Sequence, residues 1–374
     1  MKKLFTVLLV LAVAFTAFAQ SSAEQAKTED VAVAMITDYG DITDLSFNQT
    51  TYEACKAFSE ANSLKFKYYK PAGDNTADRI AMIEQAVGEG YNVIVMPGFA
   101  FAEAIAQASP LYKDVKFVGI DVSEYDLVVS AGLNDLSNVY CIVYKEEIAG
   151  YLAGYAAVKL GYTRLGFCGG MAVPAVIRYG SGFIQGADAA AAELGVAVDV
   201  QFAYANQFFG DADITAAMDT MYASGAQVVF ACGGGVYTSV CEAAAKVRKK
   251  AIGVDVDQQP IFDSTYGYPL TVTSAMKGLY ASTYDTLQTI LDGKWDTIVG
   301  QIANLGLVSA TDMDANYVGI PTGKGTAWSS SFTLEDYKKV VADIFNGKIV
   351  VNDDSSNAEP KAKTVKVSYR GNIK

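Results

Sequence analysis

Short, nearly continuous apolar runs alternate along this chain with longer segments of helical spacing. The runs fall at 31–36, 93–96, 116–120, 164–168, 227–232 and 251–254. Between them, apolar residues recur three and four positions apart. In 74–88, Ile80, Ile83 and Val87 share one face, and Asp74 or Thr76 stands where a helix cap belongs. The segment 145–160 has the same character and meets a stop at Gly161. Strands without polar alternation are buried on both faces, so the pattern predicts an α/β fold: parallel sheets flanked by helices.

The ends of these runs are polar or rich in glycine. They lead into Asp38, Pro97-Gly98-Phe99, Asp121, Gly233-Gly234-Gly235 and Asp255. In open α/β sheets, ligands sit outside the carboxyl ends of the strands. A single strand-end Asp is ordinarily a cap or turn residue. Three of them, Asp38, Asp121 and Asp255, point to a site. Asp38 opens the stretch TDYGDITDLSFNQ at 37–49, where Ser46-Phe47-Asn48 begins a helix. There Asp44 suits the helix cap and Asp41 a solvated turn, while Asp257 cannot share one cleft with Asp255. The triple glycine is read as room for a ligand. No G-K-[ST] follows it and arginine is scarce, so phosphorylated ligands are disfavoured.

A length of 374 residues favours two lobes, and 51% apolar content is ample for two cores. The formal net charge of −12 argues against nucleic acid, which needs a basic face, and against anionic lipid. There is no histidine, so Ser-His-Asp and Cys-His nucleophiles are excluded. Cys55, Cys141, Cys168, Cys232 and Cys241 have no CxxC spacing; Cys168 and Cys232 read as small core residues. Lys2 and Lys3 precede an apolar run ending at Ala17-Phe18-Ala19, which predicts a signal peptide at 1–19 and a linker at 20–30. The protein is therefore expected in the periplasm or cell envelope. No cysteine near the cleavage point suggests a lipid anchor. Residues 351–374 read as a polar tail.

Five stretches then occur in a recognisable order: TDYGDITDLSFNQ, EEIAGYLAGYAA (146–157), GFCGGMAVPAVIRYGSGFIQGADAA (166–190), IGVDVDQ (252–258) and TSAMK (273–277). Together they resemble the basic membrane protein, or PnrA-like, family of ABC transporter substrate-binding proteins, over about residues 31–347. The resemblance implies a two-lobe periplasmic-binding-protein fold of the ribose-binding type, with crossings expected near 122–128, 270–276 and 306–320. The N-terminal lobe is then 31–124 plus 275–306, and the C-terminal lobe 125–274 plus 307–350. It further implies a monomer without cofactor or catalysis that carries a nucleoside, most simply a purine nucleoside, to an ABC permease. Carried over by motif, Phe47 would stack on the base, with Asp38 and Asn48 at its edge. Asp121, Asp255 and Lys277 would surround the ribose. The glycine-rich turn departs from the family's GGTG-type run, so the second ring is expected from Tyr237, with Phe208 or Phe209 as competitors.

The chemistry agrees with that set. A nucleoside has a π-face, a hydrogen-bonding edge and a vicinal diol. Carboxylates take diol hydroxyls in strong charge-assisted bonds, and aromatic rings stack on any base. Two other readings stay open. A sugar would use the same rings and carboxylates without needing Asp38 and Asn48 at an edge. A nucleoside-processing enzyme would need Asp38, Asp41 and Asp44 to hold calcium, yet they lack the D-x-D-x-D loop with its closing glutamate.

Overall fold

The apolar runs become the strands of two separate sheets in the structure, a computed structural model that describes residues 30–38 and 40–374. The expected signal peptide, and nearly all of the linker, lie outside the described residues. The first sheet contains β1 (Ala32–Ile36), β2 (Lys65–Tyr69), β3 (Val93–Pro97), β4 (Lys116–Ile120), β5 (Val139–Tyr144) and β11 (Ile302–Leu305), in the order β11-β5-β4-β3-β1-β2. The second contains β6 (Arg164–Gly169), β7 (Asp199–Tyr204), β8 (Val228–Cys232), β9 (Lys250–Asp255), β10 (Thr271–Lys277), β12 (Val318–Gly319) and β13 (Lys366–Asn372), in the order β12-β10-β9-β8-β6-β7-β13. Every pairing between these strands is parallel except β10 with β12. β1, β3 and β8 are buried at every position, which is why their sequences show no polar alternation.

Among the described residues, ten α-helices cover the sheets: α1 (Phe47–Ala61), α2 (Thr76–Gly88), α3 (Ala102–Ala108), α4 (Glu146–Lys159), α5 (Pro174–Leu194), α6 (Ala212–Ala223), α7 (Tyr237–Lys246), α8 (Gln259–Tyr266), α9 (Leu279–Leu291) and α10 (Leu334–Phe345). Among the described residues, no helix is long and apolar enough to cross a membrane. All five cysteines are free and buried.

Two expected boundaries are corrected. The chain does not leave the first sheet at 122–128: it returns to add β5, parallel to β4, and passes over only between Tyr144 and Glu146. The second passage follows the end of β10 at Lys277, because that strand pairs with β9 along its length. The polar tail is also more than a tail. Residues 366–372 extend the second sheet as β13, parallel to β7. Asp188 Oδ1 anchors the approach to that strand by accepting the backbone N–H groups of Lys363, Thr364 and Val365. An edge strand needs apolar contact on one face only, here from Val367 and Tyr369, so its composition stays polar.

α4 and α5 make the closest helix contact in the second lobe. A Cβ added at Gly150 of α4 would lie 2.1 Å from the Tyr179 carbonyl oxygen, and one added at Gly186 of α5 would lie 1.9 Å from that of Tyr151. These are backbone atoms that cannot swing aside, so the glycines let the two helices touch directly. The contact fixes Glu146, which opens α4, beside Arg178 near the start of α5, and both charges belong to the site. Gly150→Ala and Gly186→Ala are each expected to lower unfolding free energy by about 3 kcal/mol, the upper end for overpacking. Chemical denaturation measures this; a loss under about 0.5 kcal/mol would mean that the helices separate without cost.

Candidate functional site

A cavity of about 350 Å3 lies where the carboxyl ends of the two sheets face each other. Six of the seven residues expected from sequence line it: Asp38, Phe47, Asn48, Asp121, Asp255 and Lys277. The first four come from the first sheet and its loops, the last two from the ends of β9 and β10. Asp121 and Asp255 follow their strands with φ of 60° and 66°. That left-handed conformation is uncommon outside glycine, though Asp and Asn tolerate it best. Both strands thus stop sharply and leave a carboxylate at the cavity.

Tyr237 is a correction. As the first residue of α7 it turns into the core of the second lobe, stacked on Phe262 with ring centroids 5.2 Å apart. The rings that line the cavity from this lobe are Tyr179 of α5 and Phe208 and Phe209 of the loop NQFFGD. The glycine turn serves that loop: Gly235 N–H donates to the Phe208 carbonyl at 2.8 Å. A Cβ on Gly170 would lie 2.5 Å from the Phe208 ring. The glycines therefore make room for the Phe208 ring, and Gly233, Gly234 and Gly235 line the cavity as well.

Lys277 is the centre of the site's electrostatics. Its ammonium lies 2.5 Å from Asp121 Oδ2, 3.5 Å from Glu146 Oε1 and 3.8 Å from Asp255 Oδ1. It also stands 4.8 Å from the centroid of the Phe47 ring, within cation–π range. Only 5% of Lys277 is exposed. Burial opposes its charge, but Asp121, Asp255 and Glu146 outweigh that cost and hold the ammonium above its usual range. Burial raises Asp121 and Asp255 above the usual carboxylate range, with Lys277 pulling against it. Arg178 completes the set from α5, donating from Nε to Glu146 Oε2 at 2.7 Å. Sequence reasoning missed Glu146 and Arg178. The available signal was the charge carried near the start of each of two largely apolar, glycine-spaced helices.

Two contacts join the first lobe to the second beside this cluster. Ser46 Oγ donates to Asp255 Oδ2 at 2.5 Å, and Gln258 Nε2 donates to the Leu45 carbonyl at 3.0 Å. Asp255 Oδ1 also accepts from the buried Tyr179 hydroxyl at 3.4 Å. Asp121 differs: its Oδ2 meets Lys277, while Oδ1 is buried with no hydrogen-bond partner. Asn48 likewise keeps a buried Oδ1 without a partner. Asp38 is buried, with Oδ1 accepting the Gly40 N–H at 2.9 Å. Asp41, by contrast, is an exposed turn residue paired with Lys70 at 2.8 Å. Asp257 is absent from the cavity wall and accepts the Gln259 N–H at the start of α8. The cavity thus offers two aromatic surfaces and an excess of hydrogen-bond acceptors. Such a surface suits a flat ligand rich in N–H and O–H donors.

Comparison with known proteins gives a consistent frame. The family model described as ABC transporter substrate-binding protein PnrA-like (Bmp) matches residues 31–355. The chain is 27% identical over 339 residues to the ABC transporter nucleoside-binding protein BmpA of Lactococcus lactis subsp. cremoris, covering 86% of this chain and 89% of that protein. It is 30% identical over 267 residues to the CD4+ T-cell-stimulating antigen of Listeria monocytogenes, covering 67% of this chain and 71% of that protein. Among solved structures, an ABC transporter solute-binding protein of Conexibacter woesei has a TM-score of 0.64 at 18% identity, over 86% of this chain and 99% of its own. One from Aeropyrum pernix has a TM-score of 0.63 at 20% identity, over 86% and 87%. At these identities the structural likeness speaks for the fold.

The charge cluster sets two expectations. Lys277→Met leaves Asp121 and Asp255 without their shared cation, and breaking a buried pair this way costs about 3–5 kcal/mol. Denaturant unfolding should show that loss; a change below about 1 kcal/mol would remove Lys277 as the counter-ion. Nearby, burial pushes the Glu147 carboxyl from 4.5 up to about 7. The folded protein then holds a proton that the unfolded chain has released across that window, so this group's contribution to stability falls as pH rises from about 4.5 to 7. Glu147→Gln should raise the Tm at pH 8 and leave it nearly unchanged at pH 4.5. An equal shift at both pH values would contradict the assignment.

Proposed function

The chain belongs to the PnrA-like family of ABC transporter substrate-binding proteins, and on that footing we propose that it captures a nucleoside, a purine nucleoside foremost, outside the cytoplasm. Ligand sits between the two lobes, the lobes close over it, and a membrane permease accepts the loaded form. The protein performs no chemistry of its own and works as a monomer. One observation carries the reading: Phe47 from one lobe and Phe208 from the other line a single cavity beside the Lys277 carboxylate cluster. A base between those rings would present its edge to Asp38 and Asn48. The ribose hydroxyls would then meet Asp121, whose Oδ1 has no hydrogen-bond partner among the described residues.

The roles divide by chemistry. The rings contribute stacking, worth about 1–3 kcal/mol per base and indifferent to base identity. The Asn48 amide oxygen discriminates, because a buried acceptor left unpaired by the wrong edge costs about 1–3 kcal/mol, and Asp38 adds a second acceptor at the same edge. Lys277 holds the Asp121 carboxylate in place for the sugar. Closure is served by Ser46 with Asp255 and by Gln258 with Leu45, contacts that form only when the lobes meet.

Thermal unfolding against nucleosides, free bases, ribose and hexoses tests the reading. At a hundred times its dissociation constant, a ligand stabilises by about 2.7 kcal/mol. Purine nucleosides should stabilise, while ribose and free base alone should not. Phe47→Ala should weaken nucleoside binding by about 10- to 100-fold, the equivalent of one lost stacking partner. Stabilisation by sugars alone, or an unchanged affinity in Phe47→Ala, would overturn the base-stacking role. Release of free base on long incubation would overturn the non-catalytic reading.

A further inference from the structure

Asp44 stands four residues before Asn48 and does more than cap α1. Its Oδ1 accepts the backbone N–H groups of Ser46 and Gln49, each at 3.0 Å. Its Oδ2 accepts the Asn48 backbone N–H at 2.9 Å and the Asn48 side-chain Nδ2 at 3.1 Å. Four N–H donors therefore converge on one carboxylate, which as an anion has no proton to return. The Asn48 amide can meet it only through nitrogen. Gly40 closes the other side, since a Cβ there would lie 2.0 Å from Asn48 Nδ2. The amide is held in one orientation, and its oxygen is what remains. Asn48 lines the cavity, is 6% exposed, and keeps Oδ1 buried without a hydrogen-bond partner.

We propose that Asp44 is a positioning residue that sets the hydrogen-bonding polarity of the binding site: by holding the Asn48 amide nitrogen, it makes Asn48 a pure acceptor and selects ligands that bring N–H donors to that edge. This rests on the nucleoside reading above. An asparagine left free to flip would accept either a donor or an acceptor and discriminate little. Held by Asp44, it pairs only with a donor. Asp38, a second buried acceptor lining the cavity, strengthens the same bias. The preferred base thus carries ring or amino N–H groups on its exposed edge, whereas a base with only bare ring nitrogens leaves Asn48 Oδ1 unpaired.

Titration calorimetry with guanosine and with purine riboside, whose base has no N–H donor, tests this in three proteins. The wild type should bind guanosine at least about tenfold tighter, the size of one unpaired buried acceptor. In Asp44→Asn, the new amide keeps its oxygen for the Ser46 and Gln49 N–H groups and offers nitrogen to Asn48. The Asn48 backbone N–H then loses its acceptor, which weakens the α1 cap. The Asn48 side chain turns its oxygen to the new amide and its nitrogen to the cavity, so the guanosine preference should fall by at least about tenfold. The exchange Asp44→Asn with Asn48→Asp restores an acceptor at the cavity and should restore the preference. A cap with no influence on polarity would change unfolding of the free protein and weaken both ligands alike. Where Asp44→Asn folds poorly, Asp44→Ser keeps a capping hydroxyl, frees the amide and should narrow the preference. An unchanged guanosine-to-riboside ratio in these variants overturns the role of Asp44 alone. A wild type that binds neither ligand overturns the nucleoside reading and this inference together.

Discussion

One ammonium group shared by three carboxylates is the constraint on which this site depends. Asp121 ends β4 in the first sheet, Glu146 begins the first helix after the chain crosses, and Asp255 and Lys277 end β9 and β10 in the second. None of these charges is tolerable alone in a buried setting. Together they require the carboxyl ends of both sheets to face each other within a few ångströms. Two of the passages between lobes, at 144–146 and just after 277, adjoin Glu146 and Lys277. In the proposed cycle, opening the lobes would carry Asp121 away from Lys277 and closure would restore the pairing. Hinge position and charge cluster are one arrangement.

The rest of the site follows from what that cluster leaves unused. Lys277 occupies one oxygen of Asp121, and Ser46 and Tyr179 occupy Asp255. What lines the cavity beside that cluster is acceptor-rich: Asp121 and Asn48, each with a buried oxygen that has no hydrogen-bond partner among the described residues, and the carboxylate of Asp38. Phe47 and Phe99 from one lobe and Phe208 and Phe209 from the other supply aromatic surface around them. The close contact of α4 with α5 holds Arg178 against Glu146, which keeps the far side of the cluster neutralised.

Much of this was legible in the sequence because the physics is local. Continuous apolar runs gave the buried parallel strands, and aspartates at strand ends gave Asp38, Asp121 and Asp255. Lys277 and Phe47 entered through the resemblance of their motifs. What escaped depends on geometry that sequence spacing does not carry. Whether the ring of Tyr237 faces the cavity or the core depends on where the turn of α7 begins relative to the glycines. β5 was passed over because Asp121 looked like the end of the first lobe, though Val139–Tyr144 is itself an apolar run. β13 hid behind its polar composition, since an edge strand buries one face. Glu146 and Arg178 are visible as charges near the starts of largely apolar helices, and buried charges ask for a partner.

A crystal structure of the protein grown with guanosine tests the central claim most directly. The account predicts the base lying between Phe47 and the ring of the NQFFGD loop, its N–H edge on Asp38 and Asn48 Oδ1, and a ribose hydroxyl on Asp121 Oδ1, with Lys277 still bridging the carboxylates. Guanosine bound elsewhere, or lying in this cavity with its sugar on the rings and its base away from Asn48, would contradict it.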